Sequence, residues 1–287
     1  MNIKKVIVIG AGTMGSGIAQ WFTQQMCQVE LVDNSQEQLQ KALESIHASW
    51  DKLVEKKKLD SANVAKMKSL LSIKSLDAVS KDADLVIEAI IENLEIKKTL
   101  FKNLDAYFEP HTILASNTSS FPIELMAEAV SDKRKPLFLG LHFFNPATIM
   151  KLVEVIQGKD SSLELCQKLY TWFDARDKKP AFCKDSPGFI VNRVARNFYG
   201  EPLRIVETDD ENKMKEVDRI LKEVGGFKMG PFELMDLIGI DVNYSVTCYV
   251  WEAYGQEPRF APHELQKQMV DENRFGRKSK RGFYKYD

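Results

Sequence analysis

The apolar run Val6-Ile7-Val8-Ile9 feeds directly into Gly10-Ala11-Gly12-Thr13-Met14-Gly15, and this junction constrains the chain more than any other stretch. A buried strand that ends in a glycine turn and then opens a helix is the first half of a βαβ unit shaped to hold a dinucleotide. Gly10 permits the tight turn, Gly12 lets the backbone approach a pyrophosphate, and Gly15 lets the helix pack close to the strand. The N–H groups at the start of that helix, those of Thr13 and Met14 among them, face the phosphates. A second apolar run, Val29-Glu30-Leu31-Val32, ends in Asp33, about 20 residues on, where a carboxylate accepts hydrogen bonds from an adenosine ribose. Neither Asn34 nor Ser35 is an arginine that would receive a 2′-phosphate, so NAD is expected rather than NADP.

Beyond Asp33, the residues Leu39, Leu43, Ile46, Trp50, Leu53 and Val54 recur at three- and four-residue spacings, the stripe of one helix. Lys56-Lys57-Lys58 and a break at Asp60-Ser61 separate it from a second helix through Val64, Met67 and Leu71, so a helical hairpin is expected between strands of the sheet. Its lysines, including Lys66 and Lys68, suit the phosphates of a nucleotide-like substrate; a solvated basic face accounts for the composition equally well. Strands over 84–89, 112–116, 137–143 and 151–156 then alternate with helices over 96–108, 123–130 and 161–174. That rhythm predicts an α/β fold, a Rossmann-type, mostly parallel, doubly wound sheet with ligands at the carboxyl ends of its strands. The pattern changes at Asp185-Ser186-Pro187-Gly188, after which only helices are expected, over 189–206, 212–224, 231–238, 242–254 and 262–273. The reading is therefore an NAD-binding domain over 1–186 and a smaller all-α domain over 187–287 for substrate and dimerisation. Leu203, Val206, Leu221, Leu234 and Leu237 would form the core of that second domain and bury part of it against a second subunit.

Composition removes several classes of partner. A formal net charge of −1 gives no reason to expect binding to nucleic acid or to a membrane surface. No apolar run approaches the roughly 20 residues that span a bilayer. Lys4-Lys5 before a short apolar run imitates a secretion signal, but the glycine turn follows at once, so no leader is expected. Cys27, Cys166, Cys183 and Cys248 are scattered, with no C-x-x-C spacing and no histidine partners, which points to reduced thiols in the cytoplasm and to no metal site.

Among the four histidines, His142 stands apart because it follows a predicted strand in Gly140-Leu141-His142-Phe143-Phe144-Asn145-Pro146, beside the expected nicotinamide. A structural or surface role is the reading for His47, His111 and His263. Glu154 lies on the next strand among Leu, Val and Ile, where a lone carboxylate is costly to bury, and a histidine–carboxylate pair accounts for both placements. Oxidising a secondary alcohol needs a base for the hydroxyl proton while hydride leaves, and an imidazole, which titrates near 6.5 when unperturbed, suits that task. Ala115-Ser116-Asn117-Thr118-Ser119-Ser120 ends another strand and should line the same crevice; ordinary turn capping is its alternative. Asn192 and Arg193 fall one helical turn past Pro187-Gly188, and a plain surface helix face fits them equally well.

These blocks together resemble the L-3-hydroxyacyl-CoA dehydrogenases, including bacterial 3-hydroxybutyryl-CoA dehydrogenases. The likeness continues through Met150-Lys151-Leu152-Val153-Glu154, Pro187-Gly188-Phe189-Ile190-Val191-Asn192-Arg193, Met229-Gly230-Pro231-Phe232-Glu233-Leu234 and Gly282-Phe283-Tyr284, and so covers the whole chain. The resemblance implies oxidation of (S)-3-hydroxyacyl-CoA to 3-oxoacyl-CoA by NAD, in fatty-acid, butyrate or phenylacetate-type catabolism. It makes His142 the general base and Glu154 its orienting partner, with Ser119 and Asn192 bonding the reacting oxygen and the thioester. It puts Asp33 on the adenosine ribose, Glu92, Lys97, Asn145 and Lys278, with Ser119, on the rest of NAD, and the hairpin near Lys57 on the coenzyme A phosphates. It also implies a homodimer through the helical domain. Three positions depart from the usual pattern: Thr148-Ile149 where Pro-Val is common, Lys228 for a frequent proline, and Lys280 for a common glycine. The alternatives are an NAD-dependent dehydrogenase of a free hydroxy or sugar acid and a non-catalytic NAD-binding protein. The lysine-rich hairpin disfavours the former, and the intact set His142, Glu154, Ser119 and Asn192 disfavours the latter.

Overall fold

The computed structural model describes residues 1–287 as two compact units, 1–186 and 187–287. The first unit runs β1 (Lys5–Ile9), α1 (Thr13–Gln24), β2 (Gln28–Val32), α2 (Gln36–Glu55), α3 (Ser61–Leu70), β3 (Leu71–Lys74), β4 (Leu85–Glu88) and α4 (Leu94–Tyr107). It continues with β5 (Ile113–Ser116), α5 (Ile123–Ala127), β6 (Phe138–Phe143), β7 (Leu152–Gln157), α6 (Leu163–Asp174) and β8 (Lys179–Lys184). The strands form one sheet in the order β3-β2-β1-β4-β5-β6-β7-β8. Every pair is parallel except β6 with β7. The order reverses between β1 and β4, which leaves a crevice at the carboxyl ends of the strands, where open α/β sheets take their ligands.

The sheet is thus mostly parallel and doubly wound as expected, but it carries two edge strands that the alternation did not predict. In β3 the sequence Leu71-Ser72-Ile73-Lys74 is short, and Leu71 continues the stripe of the preceding helix, so helical periodicity masks the strand. In β8 the sequence Lys179-Pro180-Ala181-Phe182-Cys183-Lys184 is charged at both ends and contains a proline, which edge strands tolerate because one row of N–H groups has no partner. The hairpin of α2 and α3 forms where it was expected: Ser35 and Asp60 cap its helices by accepting from the N–H groups of Gln38 and Asn63. The core beneath α1 and α6 is aromatic, with Trp21, Phe22, Phe143, Trp172 and Phe173 in mutual contact and every one sealed from solvent. Burying each such side chain is worth about 1.5–3 kcal/mol, which fixes α1, and with it the glycine turn, on the sheet.

The second unit consists of α7 (Val191–Val206), α8 (Glu211–Glu223), α9 (Pro231–Ile238), α10 (Ile240–Ala253) and α11 (Glu264–Asp271), followed by a tail without regular strands or long helices. Tyr199, Leu203, Met214, Phe232, Met235 and Phe283 lie in its core. Leu237, expected inside, is 49% exposed because the stripe facing the core passes through Phe232, Met235 and Asp236 instead. Asp236 is buried and accepts from the N–H groups of Phe283 and Tyr284 and from the Tyr286 hydroxyl, which pins the tail. No helix of the chain is long and apolar enough to cross a membrane.

Candidate active site

The glycine turn leaves β1 with Gly10 at φ +106°, a region that side chains rarely adopt, and a Cβ there would strike the Ala89 carbonyl. A Cβ on Gly15 would collide with the Gly10 carbonyl, so helix and turn approach as only glycine allows. Gly12 is the N-cap of α1 and supplies no side-chain acceptor, and a Cβ on it would meet nothing within 4 Å. The first-turn N–H groups therefore face open space with the positive end of the helix dipole behind them, as a bound pyrophosphate requires. Thr13 is exposed there, whereas Met14 is partly buried and packs on the core. Asp33 accepts from the N–H of Ala11 at 2.8 Å and from that of Ser35 at 2.9 Å, which holds its carboxylate at the end of β2. A cleft of about 790 Å³ lies over this turn, lined by Gly10, Gly12, Asp33, Ala89, Ile96 and Leu100. A phosphate cradle, a ribose acceptor and an apolar wall are the features that NAD requires, and the residues present fit it.

From the end of β4 an ionic network runs toward the Ser119 turn. Glu88 is fully buried and accepts from Lys97 Nζ at 2.5 Å, from the Ser116 hydroxyl at 2.6 Å and from the N–H of Ile90. The Lys97 amine also lies 3.1 Å from Glu92, whose other oxygen accepts from the Thr118 hydroxyl at 2.5 Å and from the N–H of Ser119. Lys97 is thus enclosed by two carboxylates and is 1% exposed, while Glu92 is partly exposed. Ser116 belongs to the polar block expected at this crevice, but Glu88 was not singled out by sequence reasoning: it reads as the polar end of a strand, and nothing local shows that a lysine nine residues later folds back onto it.

His142 and Glu154 stand directly opposite each other in the antiparallel register of β6 and β7. His142 Nδ1 lies 2.6 Å from Glu154 Oε2, with Glu154 fully buried and His142 nearly so. The Asn117 side chain accepts from the N–H of Phe143 at 2.9 Å and ties the Ser119 turn to the same strand end. Ser119 is within 3.2 Å of the Ser120 hydroxyl. Asn145 leads into a cis bond to Pro146, and the loop from there is fastened from below by Lys178, whose amine donates to the carbonyls of Ala147 at 2.5 Å and Met150 at 2.7 Å. Burial between the loop and the Trp21 ring pushes this amine down to about 8. Between Asp177 and Lys179 this residue looks like one more surface charge in the sequence, and only the tertiary structure reveals it as a support of the loop. Thr148 lines a smaller groove of about 350 Å³ with Thr13, Asn145 and Lys41.

The remaining sequence candidates are on other elements of the chain. Lys57 is exposed at the turn between α2 and α3, and Lys68 is paired with Asp51 at 2.7 Å. Asn192 lies in the first turn of α7, and Lys278 donates to Asp241 at 2.6 Å within the second unit. Lys228 is exposed before the capped start of α9, and Lys280 sits at φ +60°, a left-handed conformation that accounts for glycine being common at this place. The four cysteines are unpaired, and no cluster of histidine, cysteine or carboxylate ligands exists that would hold a metal ion.

Known proteins match the chain over both units. Residues 5–186 match the NAD binding domain of 3-hydroxyacyl-CoA dehydrogenase, and residues 188–286 match its C-terminal domain. The 3-hydroxyadipyl-CoA dehydrogenase of Escherichia coli is 42% identical over 285 residues, covering 99% of this chain; the chain spans 59% of that relative's length. The mitochondrial hydroxyacyl-coenzyme A dehydrogenase of Sus scrofa is 41% identical over 290 residues, covering 99% of this chain and 91% of the relative. The solved structure of (S)-3-hydroxybutyryl-CoA dehydrogenase from Ralstonia eutropha superposes with a TM-score of 0.91 at 33% identity, covering the whole of both chains. The chain therefore belongs to the 3-hydroxyacyl-CoA dehydrogenase family, with that family's NAD-binding domain as its first unit and its C-terminal domain as its second.

Proposed function

We propose that the protein catalyses the reversible reaction (S)-3-hydroxyacyl-CoA + NAD⁺ → 3-oxoacyl-CoA + NADH + H⁺. The observation that carries this reading is the His142–Glu154 pair at 2.6 Å, set at the carboxyl end of the sheet that bears the dinucleotide cradle. Glu154 accepts a hydrogen bond from Nδ1–H of the neutral imidazole, which fixes the tautomer and aims Nε2 as the base for the substrate hydroxyl. Bound NAD would supply the hydride acceptor for the carbon that bears this hydroxyl. The Glu154 carboxylate then stabilises the imidazolium that forms, and in the reverse direction His142 returns the proton.

Ser119 hydrogen-bonds the reacting oxygen, and the family resemblance assigns Asn192 to the thioester. Asp33 receives the adenosine ribose, while the N–H groups of the Gly12, Thr13, Met14 and Gly15 turn receive the pyrophosphate. The family resemblance assigns Glu92 and Asn145 to NAD, and Lys97 acts through Glu92, which it grips from within. Lys57 is assigned to the coenzyme A phosphates, and Lys278 to NAD by resemblance. Exposed Val194, Ile205 and Val224 on the second unit favour a homodimer, and four unpaired thiols favour a reducing compartment, the cytoplasm.

The test is oxidation of NADH by purified protein with acetoacetyl-CoA, with NADPH and free acetoacetate as controls. Turnover with NADH and the thioester alone is expected. Turnover of the free acid would replace this reading with that of a hydroxy-acid dehydrogenase, and silence with every substrate despite tight NADH binding would replace it with a non-catalytic role.

A further inference from the structure

The Lys97 amine meets two carboxylates, Glu88 and Glu92, and no other cation pairs with either acid. The group therefore carries one negative charge in excess. Its remaining contacts are neutral: Glu88 accepts from the Ser116 hydroxyl and the Ile90 N–H, and Glu92 from the Thr118 hydroxyl and the Ser119 N–H. A structural role accounts for one of the two acids. Glu88 is fully buried and balances the buried amine, which would be costly to leave unpaired. Glu92 differs, because its side chain is 36% exposed and both neutral donors reach the same oxygen, Oε1. A glutamine there would accept from both. The negative charge of Glu92 is thus surplus to the fold, and it repels the charge of Glu88.

The place of this charge gives it a use. The parallel strands β1, β4, β5 and β6 are neighbours in that order, so their carboxyl ends form one row. The row carries in turn the glycine cradle, Glu88, the Ser116–Ser119 turn and His142. Ala89, Ile90 and Ile91, between the two acids, line the cleft over the cradle. On the other side, Asn117 ties the Ser119 turn to the N–H of Phe143, next to His142. A dinucleotide that begins in the cradle and brings its reactive ring to His142 therefore passes the end of β4. That ring is a cation when oxidised and neutral once it has accepted hydride. The pyrophosphate is common to both forms, so the charge of the ring is what distinguishes them electrostatically.

Resting on the dehydrogenase reading, we infer that the surplus charge of the Glu88–Lys97–Glu92 group favours the oxidised cofactor over the reduced one, and so biases the hydride-transfer equilibrium on the protein. It attracts the cationic ring of NAD⁺ in a partly desolvated setting, where charges act more strongly than in water, and has no such hold on NADH. Hydride passing from the substrate carbon to the ring ends that attraction, and the reverse step restores it. The group itself gains and loses neither proton nor electron.

The experiment measures the dissociation constants of NAD⁺ and NADH by titration calorimetry in the wild-type protein, Glu92→Gln and Lys97→Met. Glu92→Gln removes the surplus charge and keeps the acceptor oxygen. It is expected to raise the ratio of the NAD⁺ constant to the NADH constant about five- to twentyfold. A tenfold rise is equivalent to about 30 mV in the potential of the bound cofactor. Lys97→Met doubles the surplus and is expected to move the ratio the other way, a reversal that loosened packing would not produce. An equal loss of both affinities in Glu92→Gln, the mark of a positioning role alone, leaves the ratio unchanged and overturns the inference, whether or not Lys97→Met folds. So does a shift of the same sign in the two variants. Turnover of acetoacetyl-CoA by the wild-type protein reports separately on the dehydrogenase reading.

Discussion

Lys97 in the first unit and Arg196 in the second are both cations sealed from solvent, but their surroundings differ. Lys97 touches two carboxylates, Glu88 at 2.5 Å and Glu92 at 3.1 Å, and its network continues through Thr118 to the Ser119 turn. Arg196 touches two carbonyls and a hydroxyl. Lys97 reaches Glu88 from α4, so helix-on-sheet packing supplies its partner, whereas strand register supplies that of His142 across β6 and β7. The second unit holds both kinds, since Arg274 is nearly buried and paired with Asp209 at 2.7 Å. Buried cations in this protein are therefore satisfied in two ways, by carboxylates at Lys97 and by carbonyls at Lys178 and Arg196.

The sharpest way to break the comparison is to remove a paired group at the proposed chemistry. His142→Gln is expected to lower turnover about 10²- to 10⁴-fold while NADH binding, followed by fluorescence, and the far-UV circular dichroism spectrum stay intact. Near-normal turnover would show that the pair is structural.

Next in size is the contrast in stability. Lys97→Met leaves two carboxylates facing one another and should cost about 3–5 kcal/mol in urea denaturation. Arg196→Met leaves no orphaned acceptor and should change stability by no more than about 1 kcal/mol. Equal losses in the two variants would erase the distinction drawn above.

The smallest expected effect is a pH dependence at Lys178, a third buried cation, held only by carbonyls. Its folded-state proton affinity is lowered from 10.5 to about 8, so between those values the unfolded chain binds more protons and stability rises with pH. Below about pH 8 both states are charged and the contribution is flat. The difference in unfolding free energy between wild type and Lys178→Met, measured across this window, should follow that rise; a flat difference would mean that the amine is fully compensated.

Most of the site was legible in the sequence wherever its residues are local in the chain. The glycine turn and the Asp33 carboxylate are tied to β1 and β2, and strand ends announce themselves by apolar runs that stop. His142 and Glu154 were legible for a related reason, since each is an anomalous polar residue at or near the end of an apolar strand. Lys97, Lys178 and Arg196 were not, because the cost or benefit of a buried charge depends on what the rest of the chain brings to it. In the sequence Lys97 reads as a residue available to a cofactor; in the fold it grips Glu88 and Glu92 from inside.

The sequence by itself determined most of the order of elements, the glycine turn and the two polar residues, His142 and Glu154, that meet in the sheet, since periodicity and glycine placement act over a few residues. The tertiary structure decided the edge strands β3 and β8, the antiparallel register that sets His142 against Glu154, and which cations are matched. Those outcomes depend on contacts between residues far apart in the chain, where burial multiplies the strength of every charge and hydrogen bond and no local pattern records the partner.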